Sequence, residues 1–251
     1  MTQTPRPLDG QVALVTGAAR RIGACIARLL HGAGMDIVLH FHHSAAAAQA
    51  LQADLEDVRA DSVLLLQADL RDTQRFSQLI TRIEAWRRRL DLLVNNASSF
   101  YPTPLAQASE MQWDDLIGSN LKAPFFLACQ AAPLLQASAG AVVNLVDIHA
   151  DRPLKGHPIY SIAKAGNAMM VKALARELGP KVRVNGIAPG VILWPQAEIN
   201  EVAQQEILER TALGRPGTPD DIARTLLFLY RDADYITGQI ITVDGGRSLQ
   251  Q

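Results

Sequence analysis

The feature that most constrains this chain is an alternation of short apolar runs and amphipathic stretches, sustained from Gln11 to Val243. Gln11 to Thr16 is a brief apolar run closed by Gly17, the pattern of a strand buried on both faces. Arg21 to His31 then sets Ile22, Cys25, Ile26, Leu29 and Leu30 at helical spacing. The pattern predicts further strands at Asp36 to His40, Ser62 to Gln67, Asp91 to Val94, Ala141 to Val146, Val182 to Ile187 and Gln239 to Val243. Between them it predicts helices at Ala45 to Val58, Arg75 to Arg89, Ser161 to Leu178 and Pro219 to Tyr230, with two helical patterns in Met111 to Gln136. The Pro219 helix is announced by a Thr218 cap and by Asp220 and Asp221 in its first turn. Strand, helix, strand without interruption implies one α/β domain over residues 1–251. It is a Rossmann-type, doubly wound, seven-stranded parallel sheet with helices on both faces. The stretch 189–218 reads as a long irregular loop, and such loops often serve as lids.

Several classes of function fall away. A chain of 251 residues supports a sizeable core without disulfide or metal staples. Lys plus Arg is 24 and Asp plus Glu 25, so the net charge is -1 and no global field gathers nucleic acid or an anionic membrane. No apolar run approaches the ~20 residues that span a bilayer. Met1 to Gly10 lacks the apolar region of a secretory signal, so a cytoplasmic protein is expected. The two cysteines, Cys25 and Cys129, lie in apolar helical stretches and read as small core residues. Arg87-Arg88-Arg89 reads as a solvated helix end.

The first strand runs into Thr16-Gly17-Ala18-Ala19-Arg20-Arg21-Ile22-Gly23, and a helix follows. A strand, a glycine turn and a helix N-terminus make an anion site from backbone N–H groups and the helix dipole. The middle glycine usual in such turns is replaced by Arg21. The second strand ends His40-Phe41-His42-His43-Ser44 and carries no acid there for ribose hydroxyls. That cluster suits a 2′-phosphate, with Arg20 adding a charge-assisted bond, so NADPH is the expected cofactor. Three of the six histidines crowd here. No metal is expected, because the strand's carboxylate, Asp36, lies at its far end.

Tyr160 and Lys164 stand four apart on a helix and share a face. An ammonium beside the phenol is expected to lower its pKa from ~10 and make Tyr160 a general acid.

With these residues in place, the chain resembles the short-chain dehydrogenase/reductase family over essentially its full length. The resemblance rests on the Thr16-to-Gly23 turn, Asp69-Leu70, Asn95-Asn96-Ala97, Asn120, Tyr160 with Lys164, Pro189-Gly190 and Asp244-Gly245-Gly246. It implies that Gly17, Arg20, Arg21, Ile22 and Gly23 bind cofactor phosphates. It implies that Asp69 and Leu70 hold the adenine, with Asn96, Ala97 and Ser98 beside the ribose. Lys164 would meet the nicotinamide ribose, Pro189, Gly190 and Val191 would cradle the carboxamide, and Asn120 would anchor a water in a proton relay. A homotetramer is also implied.

The departures narrow the resemblance. The family's serine thirteen residues before the tyrosine is here Asp147. A hydroxyl polarises a carbonyl, whereas a carboxyl group suits a substrate with ring nitrogens. Together with Arg21, the His-x-His-x-Ser strand end and Asn96-Ala97-Ser98-Ser99-Phe100-Tyr101-Pro102-Thr103-Pro104-Leu105, this is similar to the pteridine reductase branch. The branch implies a pterin stacked on Phe100. Arg21 and Ser98 would lie at its edge, Asp147 and Tyr160 would form the acid pair, and Trp194 would sit in the covering loop. His149 and His157 are expected to be surface or loop residues. The alternatives are an NADPH-dependent carbonyl or 3-oxoacyl-carrier reductase and, in another class, a non-catalytic NADPH-binding sensor.

Overall fold

The computed structural model describes residues 8–193 and 201–249. Trp194, expected to cover the site, lies outside the described residues. Seven strands form one sheet: β1 Val12–Val15, β2 Asp36–Phe41, β3 Val63–Gln67, β4 Leu92–Asn95, β5 Ala141–Leu145, β6 Arg183–Pro189 and β7 Ile240–Val243. Their order is β3-β2-β1-β4-β5-β6-β7, and every neighbouring pair is parallel. The helices are α1 Arg21–Gly32, α2 Ala45–Glu56, α3 Phe76–Arg87, α4 Glu110–Ile117, α5 Ala123–Ala137, α6 Pro158–Leu178, α7 Glu201–Glu209 and α8 Pro219–Arg231.

The pleat of the sheet divides the core. Ala13 and Val15 of β1 join Ile26, Leu30, Leu51, Ile222 and Leu226 under α1, α2 and α8. Val12 and Leu14, one residue out of phase, join Phe76, Ile83, Leu127 and Leu174 under α3, α5 and α6. Both faces of the strands are thus covered, which is why they read as unbroken apolar runs rather than as alternation. Among the described residues, no helix is long and apolar enough to cross a membrane.

Three sequence expectations need correction. The stretch 189–218 is not all loop, because β6 runs on to Pro189 and α7 occupies Glu201–Glu209. Val202 of α7 is exposed, so the helix carries no sustained apolar stripe for a sequence reading to find. Cys129 is exposed rather than in the core, while Cys25 is half-buried. The Arg87–Arg89 run is not simply solvated. Arg87 pairs with Asp36 (2.7 Å) and Asp61 (3.2 Å), and Arg89 pairs with the buried Asp91 (2.7 Å).

The segment from α4 to α5 is nearly continuous, because a π-helical turn over Gly118–Lys122 joins the two. Such turns insert one extra residue into a helix. This one carries Asn120 into the sheet's carboxyl end.

Candidate active site

The strand order reverses at β1, between β2 and β4, and the carboxyl ends of parallel strands at such a point frame a crevice. Thr16 closes β1. Its hydroxyl donates to the Val94 carbonyl (3.1 Å) and accepts the N–H groups of Asn96 (2.9 Å) and Ala97 (3.0 Å). Gly17 follows at φ 61°, a left-handed conformation open to glycine. Asn96 spends its side-chain amide on the Thr16 and Gly17 carbonyls (2.8 and 3.2 Å), so its side chain braces the turn.

The N-terminus of α1 has the properties of an anion site. Its N-cap, Arg20, makes no side-chain capping bond, and no acidic residue lies in its first turn. The helix dipole there is left without protein compensation. Arg21 adopts φ 54°, a costly conformation for a non-glycine residue. A Cβ on Gly23 would lie 2.3 Å from the Gly17 carbonyl oxygen, so the helix and the turn touch only because residue 23 is glycine.

His40 does not join the phosphate cluster. It is buried, its Nδ1 accepts the Gly17 N–H (3.2 Å) and its Nε2 faces the Ala68 carbonyl (3.1 Å). These partners call for the neutral Nε2–H tautomer. Burial pulls its pKa down to about 4, against a weaker opposing pull from the Ala68 carbonyl. His40 is therefore a prop beneath the glycine turn. His42 and His43 remain outside, with ring centroids 3.5 Å apart, and Ser44 starts α2 without a side-chain capping bond.

A cavity of about 420 Å³ opens beside His42, Gln67, Ala68, Asp69, Asp72 and Arg75. Asp69 is held by Arg71 through both oxygens (2.7–3.1 Å), and the Arg71 hydrogen bonds bring its carboxyl down to about 2. Arg71 reaches on to Asp115 (2.9 Å), and Asp115 accepts the Tyr101 hydroxyl (3.0 Å). The expected adenine end and the expected substrate loop are thus linked by one polar chain. The uncapped helix start, the glycine turn and the cavity together fit a nicotinamide dinucleotide, and His42 at the cavity's edge lies 4.0 Å from Asp69.

The reacting end is built by β5 and α6. Asp147 follows β5 and Tyr160 lies in the first turn of α6. The Tyr160 hydroxyl donates to Asp147 Oδ2 (2.7 Å), and the His149 N–H donates to Oδ1 (2.9 Å). Tyr160 is buried. Burial first, and then the Asp147 charge and hydrogen bond, push its phenol well above the ordinary value, while a hydrogen bond from Ser98 opposes them. This overturns the expectation that Lys164 acidifies Tyr160. Lys164 lies on the same helix face, 5.6 Å from the Tyr160 ring centroid, but it donates to the Leu145 carbonyl (2.9 Å). Burial brings the Lys164 ammonium down to about 8, with Asp147 pulling the other way.

Phe100 stands edge-on to Tyr160 (4.8 Å, 79°), and nearly half of its surface is exposed. His157, expected at the surface, stacks on Phe100 at 4.7 Å and 9° and so belongs to the site wall. Behind the site runs a buried asparagine ladder that the sequence reading did not include. Asn95 donates to Asn144 (2.8 Å), Asn144 to Asn167 (2.9 Å), and Asn167 to the Asn120 carbonyl (2.8 Å). The Asn120 side chain is spent on protein: its amide donates to Ser99 and Leu116, and its oxygen accepts from Ser98 (2.6 Å). Only the long spacing between these residues hid them, since no short motif contains Asn144 or Asn167. Among the described residues, no group of three or more His, Cys, Asp or Glu side chains is placed to hold a metal ion.

Comparison with known proteins agrees with this geometry. Residues 17–248 match the family model described as enoyl-(acyl carrier protein) reductase. The chain is 36% identical to pteridine reductase 1 of Leishmania tarentolae, over 99% of each chain. It is 35% identical to a 3-oxoacyl-[acyl-carrier-protein] reductase of Staphylococcus aureus, over 93% of this chain and 96% of that one. The corresponding Synechocystis reductase is also 35% identical, over 95% and 97%.

Proposed function

The chain belongs to the short-chain dehydrogenase/reductase family of oxidoreductases, and from that premise we propose that it is an NADPH-dependent pteridine reductase acting on a ring C=N bond. The observation that carries the reading is the Asp147–Tyr160 pair, joined at 2.7 Å beside the half-exposed Phe100 ring.

When bound, NADPH supplies a hydride. The protein's part is to hold the ring and place one proton. Phe100 is nearly half exposed and offers a flat ring against which a heteroaromatic ring can stack. His157 backs that plate and fixes its tilt. Tyr160 keeps its proton through the neutral range and can hand it to a ring nitrogen, while Asp147 holds the hydroxyl in line. The two Asp147 oxygens accept hydrogen bonds from the Tyr160 hydroxyl and from the His149 backbone N–H, which fixes the carboxyl plane. Below pH about 8 the Lys164 ammonium sets a positive charge under the same corner and favours an electron-rich ligand there. Arg21 and Ser98 border the ring, and Arg20, His42, His43 and Ser44 take the 2′-phosphate. Asp69 and Leu70 would hold the adenine, with Asn96 and Ala97 beside the ribose. Pro189, Gly190 and Val191 lie beside the carboxamide.

The second reading is a 3-oxoacyl-carrier reductase, and the similar identity to two such enzymes supports it. Asp147 argues against it, because an ionised carboxylate repels the oxyanion that develops from a carbonyl. The test is NADPH oxidation with dihydrobiopterin, dihydrofolate and acetoacetyl thioester in parallel, for the wild type and Asp147→Ser. The expected result is pterin turnover that exceeds thioester turnover and falls about 100-fold in the variant. Thioester turnover without pterin turnover would discard the substrate assignment.

A further inference from the structure

We propose that Arg71 is a positioning residue through which the adenosine half of the cofactor tightens pterin binding, with Asp115 and Tyr101 carrying the effect to Phe100. The inference rests on the pteridine reductase reading, with Asp69 at the adenine, and adds a coupling in which the nicotinamide has no part.

The residues on either side of Phe100 are tied to one helical segment. On one side the Asn120 amide donates to the Ser99 carbonyl (2.9 Å), and the Asn120 oxygen accepts the Ser98 hydroxyl (2.6 Å). On the other side the Tyr101 hydroxyl donates to Asp115 Oδ2 (3.0 Å), and Tyr101 packs against the cluster of Leu116, Ile159 and Tyr160. Asp115 lies in α4 and Asn120 in the π turn that continues it. The loop that bears Phe100 is therefore positioned by whatever positions this segment.

Arg71 docks the segment onto the nucleotide end. A Cβ on Gly118 would lie 3.4 Å from Arg71 Cγ, so the arginine stem runs beside the π turn. Its Nη1 donates to Asp115 Oδ1 (2.9 Å), which leaves Oδ2 for Tyr101. Its Nε lies 3.1 Å from each Asp69 oxygen, its Nη2 donates to Oδ2 (2.7 Å), and its backbone N–H donates to Oδ1 (2.9 Å). A carboxylate offers about four acceptor positions, and at Asp69 Arg71 occupies them all. Asp69 also lines the cavity beside His42 and Gln67.

The filled carboxylate sets the direction of the effect. An adenine amino group that donates to Asp69 must displace an Arg71 donor. The guanidinium is then shared less with Asp69 and more with Asp115. A firmer Asp115 holds the Tyr101 hydroxyl more tightly, and with it the loop that bears Phe100. The ligand thus has the differential interaction with two arrangements that any shift of equilibrium requires. An isolated ion pair this exposed would contribute little. Here one planar fork spans two carboxylates, so what Asp69 releases Asp115 gains, and a lysine could not divide itself in this way.

The test is calorimetric titration of the full chain with dihydrobiopterin, with and without saturating adenosine 2′,5′-bisphosphate. That fragment fills the adenosine end and has no nicotinamide to stack on the pterin. It is expected to tighten dihydrobiopterin about fivefold, the low end of ordinary coupling between sites, and dihydrobiopterin should tighten the fragment by the same factor. Tyr101→Phe keeps the ring and cuts the hydroxyl tie, so the fragment should bind it as before, within about twofold, yet no longer tighten the pterin. Arg71→Lys should lose the coupling from the other end, and it serves if Tyr101→Phe does not fold. A merely structural role for Tyr101 would weaken the pterin equally with and without the fragment and leave the coupling factor intact. That result, or a fragment that does not tighten the pterin on the wild type, would overturn the relay, while NADPH-dependent pterin turnover would leave the reductase reading standing. A wild type that neither binds nor reduces dihydrobiopterin would overturn both.

Discussion

Lys164 offers a measurement in which the folded structure alone sets the magnitude. Its side chain is 3% exposed, and burial takes its pKa from 10.5 to about 8. The unfolded chain therefore holds a proton between pH 8 and 10.5 that the folded chain has released. Where the unfolded state binds more protons, stability rises with pH. This group should thus add nothing up to pH about 7 and stabilise the fold by about 2 kcal/mol by pH 9.5. That corresponds to a Tm rise of about 4–8 °C for a chain of this size. Other groups titrate as well, so the quantity to compare is the difference between wild type and Lys164→Met, which keeps the stem and removes the charge. Chemical unfolding at pH 7 and 9.5, followed by circular dichroism, should show the wild type gaining about 2 kcal/mol on the variant. The same titration should appear in function, with wild-type kcat/KM for NADPH falling above pH about 8 as the ammonium is lost. If the variant and the wild type move in parallel across this range, Lys164 is not the buried, depressed cation described above.

Further outcomes follow from the turn and the ladder. His40 is buried with a pKa of about 4 against an ordinary 6.5, so it holds fewer protons folded than unfolded and stability falls as pH drops through that window. By pH 4.5 the loss is about 2.5 kcal/mol, and His40→Gln should show a flatter acid limb in urea titrations. Gly23→Ala drives a methyl group to 2.3 Å from the Gly17 carbonyl oxygen and should weaken NADPH binding by more than about tenfold, read by nucleotide fluorescence. Asn144→Ala strands the Asn95 amide and the Asn167 oxygen and should cost about 3 kcal/mol in denaturant midpoint analysis.

The fold was legible because its signals are local. Val12–Val15 and Asp36–Phe41 are apolar on both faces, and each is followed by a helix with a clear stripe. The glycine turn, Tyr160, Lys164 and Asp147 were legible because each stands at a fixed offset from a strand or helix end. What escaped depends on contacts across long separations. Asn95 meets Asn144 49 residues away, and Asn167 meets Asn120 47 away, so no window contains either pair. His40 reads as a cofactor ligand in sequence because it stands beside His42 and His43, but burial assigns it elsewhere. The balance at Tyr160 also needed three dimensions. Spacing alone brings Lys164 near the phenol, but the closer Asp147 and the loss of water decide its protonation. Helix α7 escaped for the opposite reason, since its exposed Val202 leaves the local signal too weak.

The π turn at Gly118–Lys122 also limits how chain length can change here. Upstream of it, Asp115 must face Arg71 and Tyr101. Downstream, Leu127, Ala128 and Ala131 must face the sheet. The extra residue of the turn acts as a phase shifter that lets one rod serve both surfaces. Deleting any residue from 118 to 122 would restore regular α-helix and rotate one half against the other by about 100°. Either the polar chain or the core would then point the wrong way. Single-residue indels should be purged from this segment, whereas the exposed loop around Asp151 to Lys155 has room for them.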